Sequence, residues 1–278
     1  VPELPEVETI ARTLREGGQG REPLPGRVIE RAHLLWARTL AEPAAEIFLA
    51  RLPGQVVQGV DRRGKYLILR LSRDALLVHL RMSGDMITGP VADEQGAPVP
   101  PAPHDRLLLD FAGNLRVAFN DARKFGRAWL VPDPEMVTAG LGPEPLSAEF
   151  TPELLHQRLQ ACDRQIKPLL LDQTFLAGLG NIYTDEALFA AGIHPLRRSR
   201  SITREEAGRL WAAIRAALAE GIRRNGASID WVYRGGGFQD VFQVYQRTGK
   251  ACPACGAPIV RITVGQRGTH YCPHCQAE

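Results

Sequence analysis

The stretch ACPACGAPIVRITVGQRGTHYCPHCQ, residues 251–276, decides how the rest of the chain is read. Cys252, Cys255, Cys272 and Cys275 stand in a C-x2-C-x16-C-x2-C pattern. Two thiol pairs at that spacing can converge on one tetrahedral zinc, each x2 loop folding back so that both sulfurs face inward. Pro253, Gly256 and Pro273 supply turn residues for such knuckles, which favours zinc over two disulfides or four unrelated thiols. A segment this short buries little apolar surface, so the metal must hold it together. Four thiolates leave no open coordination position, which makes the zinc structural. Between the pairs, IVRITV, GQRGT and HYC read as a hairpin, with Gly265 and Gly268 bracketing a tip that carries Arg267. An arginine on a metal-pinned tip suits contact with phosphate.

The chain has 278 residues and 44% hydrophobic content, enough for two globular domains and a small appendage. No run of 18 apolar residues occurs, and the opening PELPEVE lacks the basic, apolar, small-residue order of a signal peptide. A cytoplasmic location is therefore expected. The net charge of +3 permits a nucleic-acid partner without demanding one. Among 34 basic residues the only lysines are Lys65, Lys124, Lys167 and Lys250, which draws attention to each as a potential amine. Cys162 has no nearby thiol and reads as an inert buried residue.

Val7, Ile10, Ala11 and Leu14 fall at helical spacing within PEVETIARTLRE, residues 5–16, so the chain is expected to open with a helix. Glu3, Glu6 and Glu8 lie at its positive end, and favourable pairing with the helix dipole explains them without catalysis. Short β-type runs follow at 66–71, 75–80, 106–111, 115–119 and 127–131, with a proline-rich loop over 89–103. They predict an antiparallel sandwich or flattened barrel. Prolines and glycines between 132 and 152 break this pattern. Helices are expected at 152–161, about 166–172, 182–191 and 203–224, the last opened by Thr203 with Glu206 three residues on. NGASIDWVYRGGGFQD, residues 225–240, reads as a mobile loop.

Several polar clusters could carry chemistry. Arg62 to Lys65 (RRGK) precedes a strand, and spacing alone reads it as a solvated turn. HLRMSGD, residues 79–85, puts Met82 in a strand-ending turn, exposed or in the core. NDARKFG, residues 120–126, places Arg123 and Phe125 two apart, on one face if extended. A cation and an aromatic at a tip can stack on or wedge between bases, although Phe125 could equally be core. Gly178 and Gly180 precede Asn181, which opens an apolar helix. Unbonded helix N–H groups there would form a phosphate cradle, with a plain N-cap role for Asn181 as the alternative. Lys167 falls one helix earlier.

Taken together and in order, PELPEVE, RRGKYL, HLRMSG, NDARKFG, IKPLLLDQ, GLGNIY and QRGTHYCPHCQ resemble the bacterial formamidopyrimidine-DNA glycosylase family from end to end. The resemblance implies an α+β chain. Residues 1–131 would be a catalytic antiparallel β-sandwich with a leading helix, and 132–150 a linker. Residues 151–248 would be a helical helix-two-turn-helix DNA-binding domain with a lesion-capping loop at 227–238, and 249–278 a zinc-finger hairpin. It implies a base-excision repair enzyme acting as a monomer on double-stranded DNA that contains oxidised purines or abasic sites, in the bacterial cytoplasm at the nucleoid.

By the same resemblance Pro2 is the nucleophile, Glu3 the acid/base, and Lys65 and Arg267 assist the two eliminations. An amine terminus suits the task, because at pH 7 its neutral fraction is about two hundred times that of a lysine. Met82, Arg123 and Phe125 would fill the gap left by the everted nucleotide; His104, Arg164, Lys167 and Asn181 would grip the backbone. One departure is that Val1 precedes Pro2, and a peptide nitrogen is no nucleophile. Position 1 is expected to be an initiator residue that is removed. The alternatives are the sister enzyme endonuclease VIII, which prefers oxidised pyrimidines, and a non-catalytic zinc-finger DNA-binding protein. The Arg123 and Phe125 pair and the glycine-rich loop favour the purine enzyme.

Overall fold

The computed structural model describes residues 2–18, 22–228 and 235–277. In chain order the main elements are α1 (Leu4–Glu16), β1 (Ile29–Leu34), β2 (Leu40–Glu42), α2 (Ala45–Arg51), β3 (Val57–Arg63), β4 (Tyr66–Leu71), β5 (Ala75–His79), β6 (Gly84–Pro90), β7 (Asp105–Phe111), β8 (Leu115–Asp121), β9 (Arg127–Val131), α3 (Glu135–Thr138), α4 (Pro152–Gln160), α5 (Ile166–Leu171), α6 (Asn181–Ala191), α7 (Arg204–Arg223), β10 (Val260–Val264) and β11 (Arg267–Tyr271). They divide into two compact units. The first holds residues 1–2, 6–139 and 228–234; the second holds 3–5, 140–227 and 235–278. The chain thus passes from one unit to the other between Pro2 and Glu3.

The first unit contains a four-stranded sheet, β1-β7-β8-β6, and a five-stranded sheet, β2-β9-β5-β4-β3. Strand alternation sorts their side chains. Leu67, Leu69, Leu76, Val78 and Leu130 enter the central core with Leu107, Leu109, Val117 and Phe119 of the other sheet. Ile68, Leu77 and Val131 point to the opposite face and pack with Val137 of α3. Val7, Ile10, Ala11 and Leu14 of α1 close the central core, as their spacing predicts. Glu8 accepts from Arg62 Nε at 3.0 Å and Arg15 Nη2 at 3.2 Å, which fixes α1 to β3.

Several elements differ from expectation. β1, β2, α2 and β3 occupy a stretch that carries no clear period, because strands such as VQGVDRR and IERAHL alternate poorly. The turn expected over 79–85 ends in a strand, β6, and this strand runs into the expected 89–103 loop, where Ala92 and Pro98 form a further bridge. Pairing is antiparallel except for β2 against β9, which is parallel. The linker expected over 132–150 holds the helical turn α3.

In the second unit Thr203 caps α7 with a full capping box, Thr203 Oγ1 accepting from Glu206 N at 3.2 Å and Glu206 Oε2 from Thr203 N at 2.8 Å. α6 is buried on nearly every side and ends at Gly192, whose φ of 69° is the left-handed conformation a C-cap favours. Tyr183 of α6 stacks on Phe238 at 4.8 Å, and Gly221 of α7 gives it room, since a Cβ there would lie 2.5 Å from the Tyr183 ring. Part of the expected 225–240 loop is ordered, with a helical turn at Phe238–Val241; the rest of the proposed capping loop, 229–234, lies outside the described residues. Within the described residues no helix is long and apolar enough to cross a membrane.

Hydrogen bonds from Arg197, and the Thr203 amide, hold the Glu206 carboxyl down to about 2. A depressed carboxyl contributes stability that is present above its unfolded value near 4.5 and is lost as pH falls through 2. Glu206→Gln is therefore expected to lower stability by about 1–2 kcal/mol at pH 7, with the gap from the unaltered protein closing towards pH 2 in denaturant titrations.

Candidate active site and DNA interface

Two clusters of the expected site residues form, one in each unit. In the first unit the organiser is Asp121, at the end of β8 and 1% exposed. Its Oδ1 takes the Ser83 hydroxyl and the Arg123 amide at 3.2 Å, and its Oδ2 takes the Gly126 amide at 2.7 Å. One carboxylate thereby ties the Met82 turn to the NDARKFG tip. Gly126 is required, because a Cβ there would sit 2.2 Å from the Phe119 ring. On this tip Phe125 is 51% exposed, which resolves its reading away from the core, and the Arg123 guanidinium stands 5.2 Å from its ring centroid. Lys124, at φ 61°, turns back over Trp36 at 4.0 Å. Met82 is half-buried.

His104 is exposed at φ 76° beside the same strand end, its carbonyl accepting from Asp121 N at 2.9 Å. Lys65 occupies the two-residue turn between β3 and β4, after Gly64 at φ 57°. The nearby His79 ring is held neutral, pulled down to about 3 by burial and then by the charges of Arg81 and Lys65. Its Nδ1 accepts from Arg81 N at 3.0 Å. Pro2 is buried, and Val1 lies outside the described residues.

In the second unit the organiser is Glu3, 2% exposed. Its carboxylate accepts from the amides of Gly180 at 2.7 Å and Ile182 at 2.9 Å, with Tyr183 N at 3.5 Å. These are the donors at the start of α6, where the helix dipole also complements a negative charge. Glycine is needed at both flanking positions: a Cβ at Gly180 would lie 2.3 Å from Glu3 Cδ, and one at Gly178 would lie 2.6 Å from Leu4. Leu4 N donates to Gly178 O at 3.0 Å, completing the joint. The phosphate cradle expected here is thus corrected. Its amides are filled by a carboxylate from the chain's own N-terminal segment, and Gly180, not Asn181, is the N-cap.

Lys167, which the resemblance places on the DNA backbone, is turned inward. It is 0% exposed, its Nζ donating to Asp185 Oδ1 at 2.6 Å and Gly268 O at 3.1 Å. Burial pulls its ammonium down from the usual lysine range, against the opposing charge of Asp185. Asn181 Nδ2 donates to the same Gly268 O at 2.9 Å. Arg267 is exposed and follows the two-residue turn Gly265–Gln266, both at positive φ, so the tip of the hairpin precedes it. Arg164 stands apart from this cluster, paired with Asp172 at 2.8 Å.

Sequence reasoning passed over Asp121, Ser83, Asp185 and Glu186. A signal existed for the last two, an acidic pair inside the otherwise apolar helix NIYTDEALFAA. Asp185 Oδ2 accepts from His270 N at 2.9 Å, and Glu186 accepts from the amides of Gln243, Val244 and Tyr245 at 2.8 to 3.0 Å. Burial raises the Glu186 carboxyl, with those three amides opposing it.

The four hairpin thiols lie within 4.8 Å of one another, with Cys252 and Cys275 sulfurs 3.9 Å apart and those of Cys255 and Cys272 3.4 Å apart. Tetrahedral zinc with 2.3 Å bonds sets sulfurs about 3.8 Å apart, so the set fits the metal. Ala254 N and Cys275 N each point at a sulfur at 3.4 Å, as zinc knuckles do.

Comparison with known proteins settles the kinship. The formamidopyrimidine-DNA glycosylase N-terminal domain matches residues 1–128, its H2TH domain residues 141–232, and the zinc finger found in FPG and IleRS residues 249–277. This chain belongs to the formamidopyrimidine-DNA glycosylase family. The formamidopyrimidine-DNA glycosylase of Symbiobacterium thermophilum is 45% identical over 99% of this chain and 89% of its own, and that of Pelotomaculum thermopropionicum is 42% identical over 99% of both. Among solved structures, MutM in complex with DNA containing carbocyclic 8-oxo-G has a TM-score of 0.88 at 36% identity and full coverage of both chains. The Lactococcus lactis enzyme bound to DNA containing FAPY-dG has a TM-score of 0.88 at 36% identity, covering 99% of this chain and 100% of its own. The zinc-finger match and the thiol geometry together give the chain one structural zinc.

If the Glu3 joint sets the fit of this region, Gly180→Ala will cost more than about 2 kcal/mol in thermal or denaturant unfolding. Gly140→Ala, where nothing lies within 4 Å of an added Cβ, is expected to stay within about 0.5 kcal/mol.

Proposed function

We propose that this protein is a bifunctional DNA glycosylase and abasic-site lyase that removes oxidised purines, 8-oxoguanine and formamidopyrimidines among them, from duplex DNA. The observation that carries the reading is the acidic residue after Pro2 held by the amides at the head of α6. That anchorage gives an N-terminal amine and a carboxylate fixed places in the fold, which a non-catalytic binder does not need. Pro2 N, freed of residue 1, attacks C1' of an everted nucleotide while the N-glycosidic bond breaks and the base leaves with a proton. Glu3 moves a proton at the opening sugar ring. The resulting iminium acidifies the C2' hydrogen; its loss expels the 3' phosphate, and a second elimination expels the 5' phosphate. Lys65 and Arg267 steady these leaving groups, Arg267 as a clamp because a guanidinium is a poor proton donor.

On the same reading Met82, Arg123 and Phe125 fill the duplex after eversion, Arg123 facing the orphaned cytosine, with His104 on the backbone. The cost of unstacking, about a few kcal/mol, is offset by these insertions. The working parts are then a catalytic sandwich at 1–131, a linker at 132–150, a DNA-binding helical domain with a capping loop at 151–248, and a zinc finger at 249–278. Their place of action is the DNA of a bacterial nucleoid.

Borohydride reduction of the protein with duplex DNA containing 8-oxoguanine opposite cytosine tests this. A covalent adduct is expected from chains whose mass shows they begin at Pro2. Absence of the adduct from such chains, or preference for thymine glycol over 8-oxoguanine, would overturn the proposal.

A further inference from the structure

We propose that Asp185 is a positioning residue for Arg267, acting through the backbone of β11. The inference rests on the reading above, in which Arg267 steadies the phosphate that leaves in the second elimination. Asp185 lies within α6, fully buried, and both its oxygens are committed. Oδ1 accepts from Lys167 Nζ at 2.6 Å; Oδ2 accepts from His270 N at 2.9 Å and lies 3.3 Å from His270 Nδ1. Lys167 Nζ in turn donates to Gly268 O at 3.1 Å, the carbonyl that also takes Asn181 Nδ2.

The pair therefore offers β11 a donor at the carbonyl of residue 268 and an acceptor at the amide of residue 270. Groups two residues apart lie on the same edge of a strand, and β10 pairs on the other edge. Asp185 and Lys167 stand in for a third strand. The zinc site holds the open end of this hairpin, next to Cys272, whereas Arg267 sits at the far end where it turns, paired with Val264, and a two-stranded ribbon without further support is marginal in water. Gly265, in the turn itself, abuts Pro168 of α5, where a Cβ would come within 3.3 Å. The hairpin is thus gripped from the residue after Arg267 onward by the element that also carries the Glu3 joint. A buried ion pair is a poor source of net stability but is sensitive to loss of either member, which suits a register-setting role over a packing role.

Asp185→Asn cannot satisfy both partners, because its amide nitrogen must face either the ammonium or the His270 amide. On DNA with a single abasic site, the share of product carried through the second elimination is expected to fall about tenfold, while the borohydride-trapped adduct stays within about twofold of the unaltered protein. Arg267→Ala sets the floor, and the double variant D185N/R267A is expected to fall no further than R267A alone. Should D185N melt early or hold less than one zinc per chain, D185N/K167M, which removes the stranded ammonium as well, is measured in its place with the same expectation. A folded variant with the unaltered product ratio, or additive losses in the double variant, would overturn the inference. Failure of unaltered chains beginning at Pro2 to trap at all would instead count against the proposed function.

Discussion

A carboxylate seated on three amides at the start of a helix is the constraint on which the second unit is organised. Glu3 precedes the first helix of the chain, and its partners lie some 180 residues later, at Gly180, Ile182 and Tyr183. Charge-assisted bonds of this kind are stronger than neutral ones, and here they fill the donors that a helix start leaves unbonded. The two glycines of GLGN exist to let this approach happen, one by lacking a side chain against Glu3 and the other by taking a positive φ against Leu4. From that joint α6 carries the next layer. Asp185 holds Lys167 and β11, Glu186 holds the segment at 243–245, and Tyr183 stacks on Phe238. One helix thus orders four separate pieces of chain, three through the buried carboxylates of Asp185 and Glu186 and one through a stacked ring.

The first unit uses the same device on a smaller scale. Asp121 closes two loops onto one carboxylate, so that Met82, Arg123 and Phe125 come from a common base. Phe125 stays half exposed with the Arg123 guanidinium beside its ring, the arrangement that the proposed insertion between stacked bases would use. The core beneath is ordinary strand alternation, two faces sorted by odd and even positions.

Sequence alone made the zinc site legible, because cysteine spacing and turn residues state the geometry almost outright. α1, the strands β4, β5, β7, β8 and β9, and the capping box of α7 were legible for a related reason: period and caps are local properties. β1, β2, β3 and α2 were not, since their polar residues interrupt the alternation and their place is set by pairing with strands far along the chain. The site divided along the same line. Phe125 could be suspected from a two-residue offset, but whether it faced solvent depended on Asp121 and the Phe119 ring below Gly126. That Lys167 is buried against Asp185, 18 residues on, nothing local reveals, nor that the amides at the head of α6 are taken by Glu3 from far along the chain. Long-range polar pairing was the part no window could show.

The claim that the N-terminal carboxylate sets the head of α6 is tested most directly by amide hydrogen exchange at Gly180 and Ile182, followed residue by residue in the unaltered protein and in Glu3→Ala. The account predicts strong protection of both amides in the unaltered protein and its loss in the variant, with the middle of α7 still protected. Fast exchange at both positions in the unaltered protein, or protection that survives removal of the carboxylate, would contradict it.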